Sequence, residues 1–141
     1  MHREGGCACG AIRFTIDAPL LGTGACHCRN CQKFAGGGPN YVALVPKGVI
    51  TITRGTPHEF HDRGDSGDKV IRAFCPDCGT PLWSVPEHKP FIPVKVGAFD
   101  DTADLAPQMH IYTASAPAWH AIPDNVPTFA QMAPAILAPP E

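Results

Sequence analysis

The chain has 141 residues, a formal net charge of −2 and 44% hydrophobic residues, which suit one folded domain and exclude a disordered polyelectrolyte. Its eleven lysines and arginines are scattered, and this excludes the concentrated positive face that binds nucleic acid or an anionic membrane. Sixteen prolines and fourteen glycines exclude long helices and favour short strands joined by turns.

We expect neither a targeting segment nor a membrane-spanning segment in this chain. The N-terminal residues MHREGGCACG lack the apolar run of a signal peptide. No apolar stretch approaches the ~20 residues that a helix needs to cross a bilayer. We therefore expect a cytoplasmic protein without nucleic-acid or membrane partners. Seven cysteines in a reducing compartment are poor candidates for disulfides, and an odd number cannot all pair within one chain.

Alternating or β-branched runs predict strands along most of the chain. Ile12, Phe14 and Ile16 share one face of a first strand. Further strands are predicted at 41–45, 49–53, 70–74, 82–85, 91–96 and 110–113. Helical signals are limited to a turn after Cys28 and another at 127–132. The predicted fold class is mainly β, as a small antiparallel sandwich or folded-over sheet.

The domain organisation follows from the same pattern of strands and turns. One domain is predicted over residues 1–132, followed by a Pro/Ala-rich tail over 133–141. Trp83, Trp119 and Phe129 are interpreted as core residues.

The seven cysteines fall into three short clusters: Cys7-Ala8-Cys9, Cys26-His27-Cys28-Arg29-Asn30-Cys31 and Cys75-Pro76-Asp77-Cys78. The first and third clusters are each followed by a glycine, Gly10 and Gly79, which supplies the positive φ of a tight turn. Two glycine-ended pairs predict the halves of one four-thiolate zinc site, and the alternative is a set of buried free thiols. Such a site would join the N-terminus to the middle of the chain, and folding could then depend on the metal.

The middle cluster differs, because Cys26, Cys28 and Cys31 provide three thiols within six residues and no glycine follows them. Three protein ligands leave a tetrahedral metal one position short, which is the pattern of a catalytic zinc site. Three thiolates leave a zinc site with a net charge of −1, which suits holding an external thiol better than ionising water. His27 is left open between an acid/base or supporting role and an exposed imidazole. The alternative for the whole cluster is a redox-active or free-thiol loop.

Five motifs along the chain resemble those of a known family. The motifs GGCACGAIRF, CHCRNC, FCPDCGTPLW, GAFDD and HIYTASAPAW, in this order from about Gly5 to Phe129, resemble the glutathione-dependent formaldehyde-activating enzyme (GFA) family. The resemblance implies a folded β architecture called a β-tent, with a structural zinc on Cys7, Cys9, Cys75 and Cys78 and a catalytic zinc on Cys26, Cys28 and Cys31. It implies addition of glutathione to formaldehyde, giving S-(hydroxymethyl)glutathione, which is a carbon–sulfur lyase reaction when written in reverse.

Thiol addition to an aldehyde predicts further site residues. A proton donor is required for the new hydroxyl oxygen, and His27 is the nearest candidate, with His110 second. Glutathione carries two carboxylates, so cations are expected near the pocket. Arg29 and Lys33 flank the cluster and are the first candidates, and Arg72 is the next.

Two other function classes compete with an enzyme. One is a non-catalytic zinc-binding interaction module, against which the incomplete three-thiol set argues. The other is a thiol or metal redox sensor, which would lose one zinc on oxidation and regain it on reduction.

The segment 34–40 after the third cysteine of the middle cluster is expected to form one wall of a pocket. The sequence leaves the oligomeric state open.

Overall fold

The protein is mainly β, as predicted, in a computed structural model that describes residues 1–64 and 67–134. Within these residues the strands are β1 (His2–Gly6), β2 (Arg13–Asp17), β3 (Gly22–Cys26), β4 (Asn40–Pro46), β5 (Ile50–Arg54), β6 (His58–Arg63), β7 (Lys69–Phe74), β8 (Pro81–Pro86), β9 (Phe91–Lys95) and β10 (His110–Ile111). The helix α1 spans Arg29–Ala35, and 3₁₀ turns occupy Val96–Ala98 and Thr113–Ser115. Among the described residues, no helix is long and apolar enough to cross a membrane.

The strands form two sheets. One has three strands in the order β1-β2-β5, and the other has seven in the order β10-β3-β4-β9-β8-β7-β6. Neighbouring strands run antiparallel, whereas β10 lies parallel to the end of β3. This parallel pairing brings residues near the end of the domain beside the middle cysteine cluster.

The core lies between the two sheets. Ile12, Phe14 and Ile16 are at most 1% exposed, which confirms the predicted face of the first apolar strand. The Phe14 ring meets Trp83 edge to face, with ring centroids 5.3 Å apart. Trp83 pairs with Val94 across β8 and β9, and both are buried, so this face of the larger sheet packs on the smaller one.

The opposite face of the seven-stranded sheet carries the candidate site, and we call it the open face. Side chains alternate along a strand, so residues paired in register share a face. Arg72 pairs with Ser84 across β7 and β8, and Asn40 pairs with Cys26 across β4 and β3. These four residues all line one cavity on the open face.

Three strands of the structure were not predicted. β1 (HREGG) and β3 (GTGAC) are rich in glycine and polar residues, and β6 (HEFHDR) is a charged strand at the edge of its sheet. Their strand structure depends on pairing with neighbours, because their own residues have little β propensity or apolar alternation.

The predicted helix at 127–132 is wrong. This segment runs beside residues 110–113 as extended chain, where Phe129 N donates to the His110 carbonyl at 2.9 Å. Pro127 removes a backbone donor and favours such an extended course. Trp119, interpreted as core, is 76% exposed, whereas Trp83 is buried as predicted. The tail predicted at 133–141 lies outside the described residues from 135 onward, so the domain boundary stays a prediction.

Candidate metal centre and thiol cavity

The two outer cysteine clusters come together as predicted, although Cys9 and Cys75 are 66 residues apart in the chain. The four sulfur atoms of Cys7, Cys9, Cys75 and Cys78 all lie within 4.8 Å of one another. The Sγ–Sγ distances are 3.6 Å for Cys7–Cys9 and 3.8 Å for Cys9–Cys75. A Zn–S bond of about 2.3 Å gives a tetrahedral S–S edge of about 3.8 Å. The four thiols therefore fit a tetrahedral zinc ion.

Tight turns bring these sulfurs together. Gly10 and Gly79 have φ values of 82° and 78°, as the glycine-ended pattern predicted. The Thr80 hydroxyl lies 3.1 Å from Cys78 Sγ and accepts a hydrogen bond from Ala8 N at 3.0 Å, so it joins the two loops. Hydrogen bonds from the Thr80 hydroxyl and from the backbone N–H groups of Thr80 and Cys9 lower the pKa of Cys78 to about 5. The turn after β7 thus favours the thiolate form of Cys78 that a metal ligand needs.

The middle cluster forms a separate three-sulfur group. Cys26 ends β3, Cys28 caps α1 by accepting a hydrogen bond from Cys31 N at 3.3 Å, and Cys31 lies in the first turn of the helix. The three sulfurs lie within 4.8 Å of one another, and all three residues are half-buried. Hydrogen bonds with Cys26 and Cys31 lower the pKa of Cys28, whereas hydrogen bonds with Cys28 and Cys31 raise the pKa of Cys26.

These opposed shifts have a chemical consequence. Three sulfurs this close share protons when no cation is bound, because like charges disfavour a second and third thiolate. A divalent cation would offset that repulsion and let all three ionise. The three sulfurs therefore fit a thiophilic metal ion, and the set leaves one tetrahedral position for a further ligand.

A cavity of about 350 Å³ opens beside the three sulfurs. Its walls are largely apolar, from residues such as Val42, Phe91 and Pro93 of the open face. Its polar lining comes from Asn30, Asn40, Arg72, Ser84, Lys89 and Tyr112. This combination of apolar walls and a few polar groups, at this size, is typical of small-molecule sites.

His27, predicted as the first proton donor, lies elsewhere. It is 1% exposed, and its Nε2 is 2.9 Å from Nδ1 of His110, which is 2% exposed. The His120 ring is centred 5.1 Å from that of His27. Burial, together with the charges of His110 and His120, lowers the pKa of His27 to about 4. Neither His27 nor His110 is among the described residues that line the cavity, so its geometry gives no support to either histidine as proton donor.

The predicted cations are divided between sites. Arg29 bonds to the Gln32 side chain and does not line the cavity beside the sulfurs, as far as the described residues show. Lys33 lines a neighbouring cavity of about 430 Å³. Arg72, the third candidate, lines both cavities, and Lys89 contributes a cation that sequence reasoning missed.

Sequence reasoning missed Lys95 and Tyr112 near the sulfurs, whereas Asn40 belongs to the segment 34–40 that was expected to form a wall of the pocket. Lys95 Nζ lies 2.6 Å from Asn40 Oδ1, and Asn40 Nδ2 lies 3.7 Å from Cys31 Sγ. Tyr112 lines the cavity with a left-handed backbone, at φ 55°, which is uncommon for a residue with a side chain and is frequent at functional sites. A lysine ending the apolar strand FIPVK was a readable signal for Lys95. Tyr112 gave none, and the contact of Asn40 with Cys31 was not predicted.

Comparisons with known proteins identify the family. Residues 2–115 match the family described as glutathione-dependent formaldehyde-activating enzyme. A relative from Halomonas elongata, provisionally named a glutathione-dependent formaldehyde-activating enzyme, is 28% identical over 128 residues, which are 84% of this chain and 80% of the relative. A crystal structure of a Rhodobacter sphaeroides protein has a similar fold, with a TM-score of 0.55 and 20% identity over 69% of this chain and 87% of that one. With the family matched from the first strand to the 3₁₀ turn beyond β10, the chain belongs to the GFA family.

Proposed function

We propose that this protein is a zinc-dependent carbon–sulfur lyase that adds glutathione, or a related thiol, to formaldehyde or another small aldehyde and catalyses the reverse reaction. The observation that carries the proposal is the incomplete three-sulfur set on the wall of a small-molecule cavity. The four-sulfur set, in contrast, is complete and lies outside that cavity in the described structure. In this proposal one zinc stabilises the folded sheets and the other serves the reaction.

The chemistry is an addition to a carbonyl group. A zinc ion held by Cys26, Cys28 and Cys31 would offer an open position that favours the ionised form of an incoming thiol. The thiol sulfur forms a bond to the aldehyde carbon, the π electron pair of the C=O bond passes to oxygen, and the proton lost by the thiol ends on that oxygen. The apolar walls of the cavity exclude water from this exchange and confine the two reactants beside the sulfurs.

Arg72 is the cation that we assign to a carboxylate of the thiol substrate. Its Nε donates to Asp62 Oδ2 at 2.9 Å, and its guanidinium carbon lies 4.1 Å from the centroid of the Phe34 ring. These two contacts hold the guanidinium in place where the two cavities meet. A planar, fixed guanidinium is well suited to a carboxylate.

Replacing Arg72 with methionine should raise KM for glutathione by about 10- to 100-fold, because a hydrogen bond to a charged group contributes about 1.5–3 kcal/mol. KM for 2-mercaptoethanol, which has no carboxylate, should change little. Arg63→Met is the matched control, since Arg63 lies exposed on the neighbouring strand and does not line the described cavity. An equal rise of KM for both thiols would show that Arg72 supports the fold and not the substrate.

The activity itself is tested by exchange spectroscopy. Zinc-loaded protein should accelerate the exchange of ¹³C-formaldehyde with its glutathione adduct above the spontaneous rate, at equilibrium and in both directions. S-methylglutathione, which has no free thiol, should compete without reacting. Absence of acceleration with glutathione, cysteine and 2-mercaptoethanol, each tried with formaldehyde and acetaldehyde, would overturn the proposed reaction and leave the metal sites to be explained as a binding module.

A further inference from the structure

The amide of Asn40 lies between Cys31 of the three-sulfur set and the half-buried Lys95. Asn40 is the first residue of β4, stands opposite Cys26 in register and is 7% exposed. Its Nδ2 atom lies 3.7 Å from Cys31 Sγ, within hydrogen-bonding range for sulfur. On its other side, Oδ1 accepts a hydrogen bond from Lys95 Nζ at 2.6 Å.

The lysine determines which way the amide faces. An ammonium group has three donors and no acceptor, so it can bond only to the amide oxygen of Asn40. The amide nitrogen must then face Cys31, to which it can only donate. The short contact with Lys95 therefore turns Asn40 into a fixed N–H donor for the sulfur.

The positive charge of Lys95 would be balanced by the negative charge of a metal-loaded three-sulfur set. Its ammonium is held by Asn40 and by the Phe34 carbonyl at 3.5 Å, on a strand that is otherwise apolar. A buried cation is costly unless opposite charge lies nearby. Three thiolates around one divalent metal would carry a net charge of −1, and Asn40 links Cys31 of this set to the lysine. The cation and an anionic metal site would thus offset each other.

We propose that Asn40 and Lys95 are positioning residues for the three-cysteine metal site: Lys95 orients the Asn40 amide, and that amide donates to Cys31 and fixes its sulfur as a ligand. The proposal rests on the metal binding that the proposed function requires, and it is independent of which thiol or aldehyde reacts. Groups that orient metal ligands in this way typically change metal affinity 10- to 100-fold when they are replaced.

The test measures Co²⁺ binding and its thiolate-to-metal charge-transfer absorption in two variants. Lys95→Met removes the cation, and Asn40→Asp keeps the shape of the side chain while replacing the N–H donor with an acceptor oxygen. Both should weaken Co²⁺ binding at the three-cysteine site by about 10- to 100-fold and shift its charge-transfer band. The four-cysteine site of the same molecule should keep its affinity and serves as an internal reference.

Lys47→Met is the matched control, because Lys47 also donates to a backbone carbonyl, that of Pro86 at 2.7 Å, but makes no contact with Asn40. It should bind Co²⁺ at both sites as the unmodified protein does. Unchanged affinity and absorption in Lys95→Met and Asn40→Asp would overturn the proposal. Equal losses at both metal sites would also overturn it, since they would indicate a general loss of structure. Loss of aldehyde exchange with unchanged Co²⁺ binding would count against this inference and not against the proposed reaction.

Discussion

Replacing Cys78 with serine is expected to leave the protein insoluble or unfolded, although the Cys78 side chain lies on the surface. A surface substitution away from special features usually changes the free energy of unfolding by no more than about 0.5 kcal/mol. A structural zinc ion, in contrast, contributes an apparent ~10–16 kcal/mol at neutral pH when its ligand set is complete. The expected effect is therefore far larger than the position of the side chain alone would suggest.

The structure explains why this metal would matter for the fold. The four cysteines connect the loop after β1 with the turn between β7 and β8, and so join the small sheet to the large one. Cys9 and Cys78 are both exposed, so their contribution to this connection would come from the metal and not from burial in the core.

The measurement is soluble yield, thermal unfolding and zinc content of Cys78→Ser beside Asp77→Ser. Asp77 is its neighbour in the same turn, is also exposed and carries no thiol, so its replacement should be tolerated. If Cys78→Ser were as soluble and as stable as Asp77→Ser, the four cysteines would be free thiols and the structural zinc would be wrong.

Replacing Cys26 with serine should have the opposite profile, with an intact fold, one zinc lost and no aldehyde exchange. Cys26 ends β3, whose hydrogen bonds to β4 are made by the backbone and survive the substitution. A serine hydroxyl does not replace a thiolate as a soft ligand, and two sulfurs are too few to hold the metal with an open position.

Circular dichroism and unfolding temperature should therefore remain close to those of the unmodified protein, while zinc falls from about two ions per chain to about one. Cys78→Ser and Cys26→Ser serve as controls for each other. If both variants unfolded, or if both folded and kept activity, the division into a structural and a catalytic site would be contradicted.

The cysteine partition could be predicted from the sequence because it depends on local features. Glycine after Cys9 and Cys78 gives each pair a tight turn, and the middle cluster, which lacks that glycine, continues into α1. The apolar strands were readable for the same reason, since Ile12, Phe14 and Ile16 alternate in sequence and lie together in the core.

The environment of the middle cluster could not be predicted because strand register creates it. Asn40 reaches the sulfurs only because β4 pairs with β3 so that it stands opposite Cys26. His27 is buried because β10 pairs with the end of β3 and brings His110 against it. The position of His27 between two cysteines suggested a catalytic role. Its neighbours Cys26 and Cys28 line the cavity, whereas the His27 ring lies against those of His110 and His120.

The most direct test of two zinc sites with different roles is the zinc content per chain of anaerobically purified protein, with and without glutathione. We expect about two zinc ions per chain, one held firmly by Cys7, Cys9, Cys75 and Cys78 and one that glutathione perturbs or a chelator removes first. A single firmly held zinc ion that is indifferent to glutathione would contradict the open site at Cys26, Cys28 and Cys31, and with it the proposed reaction.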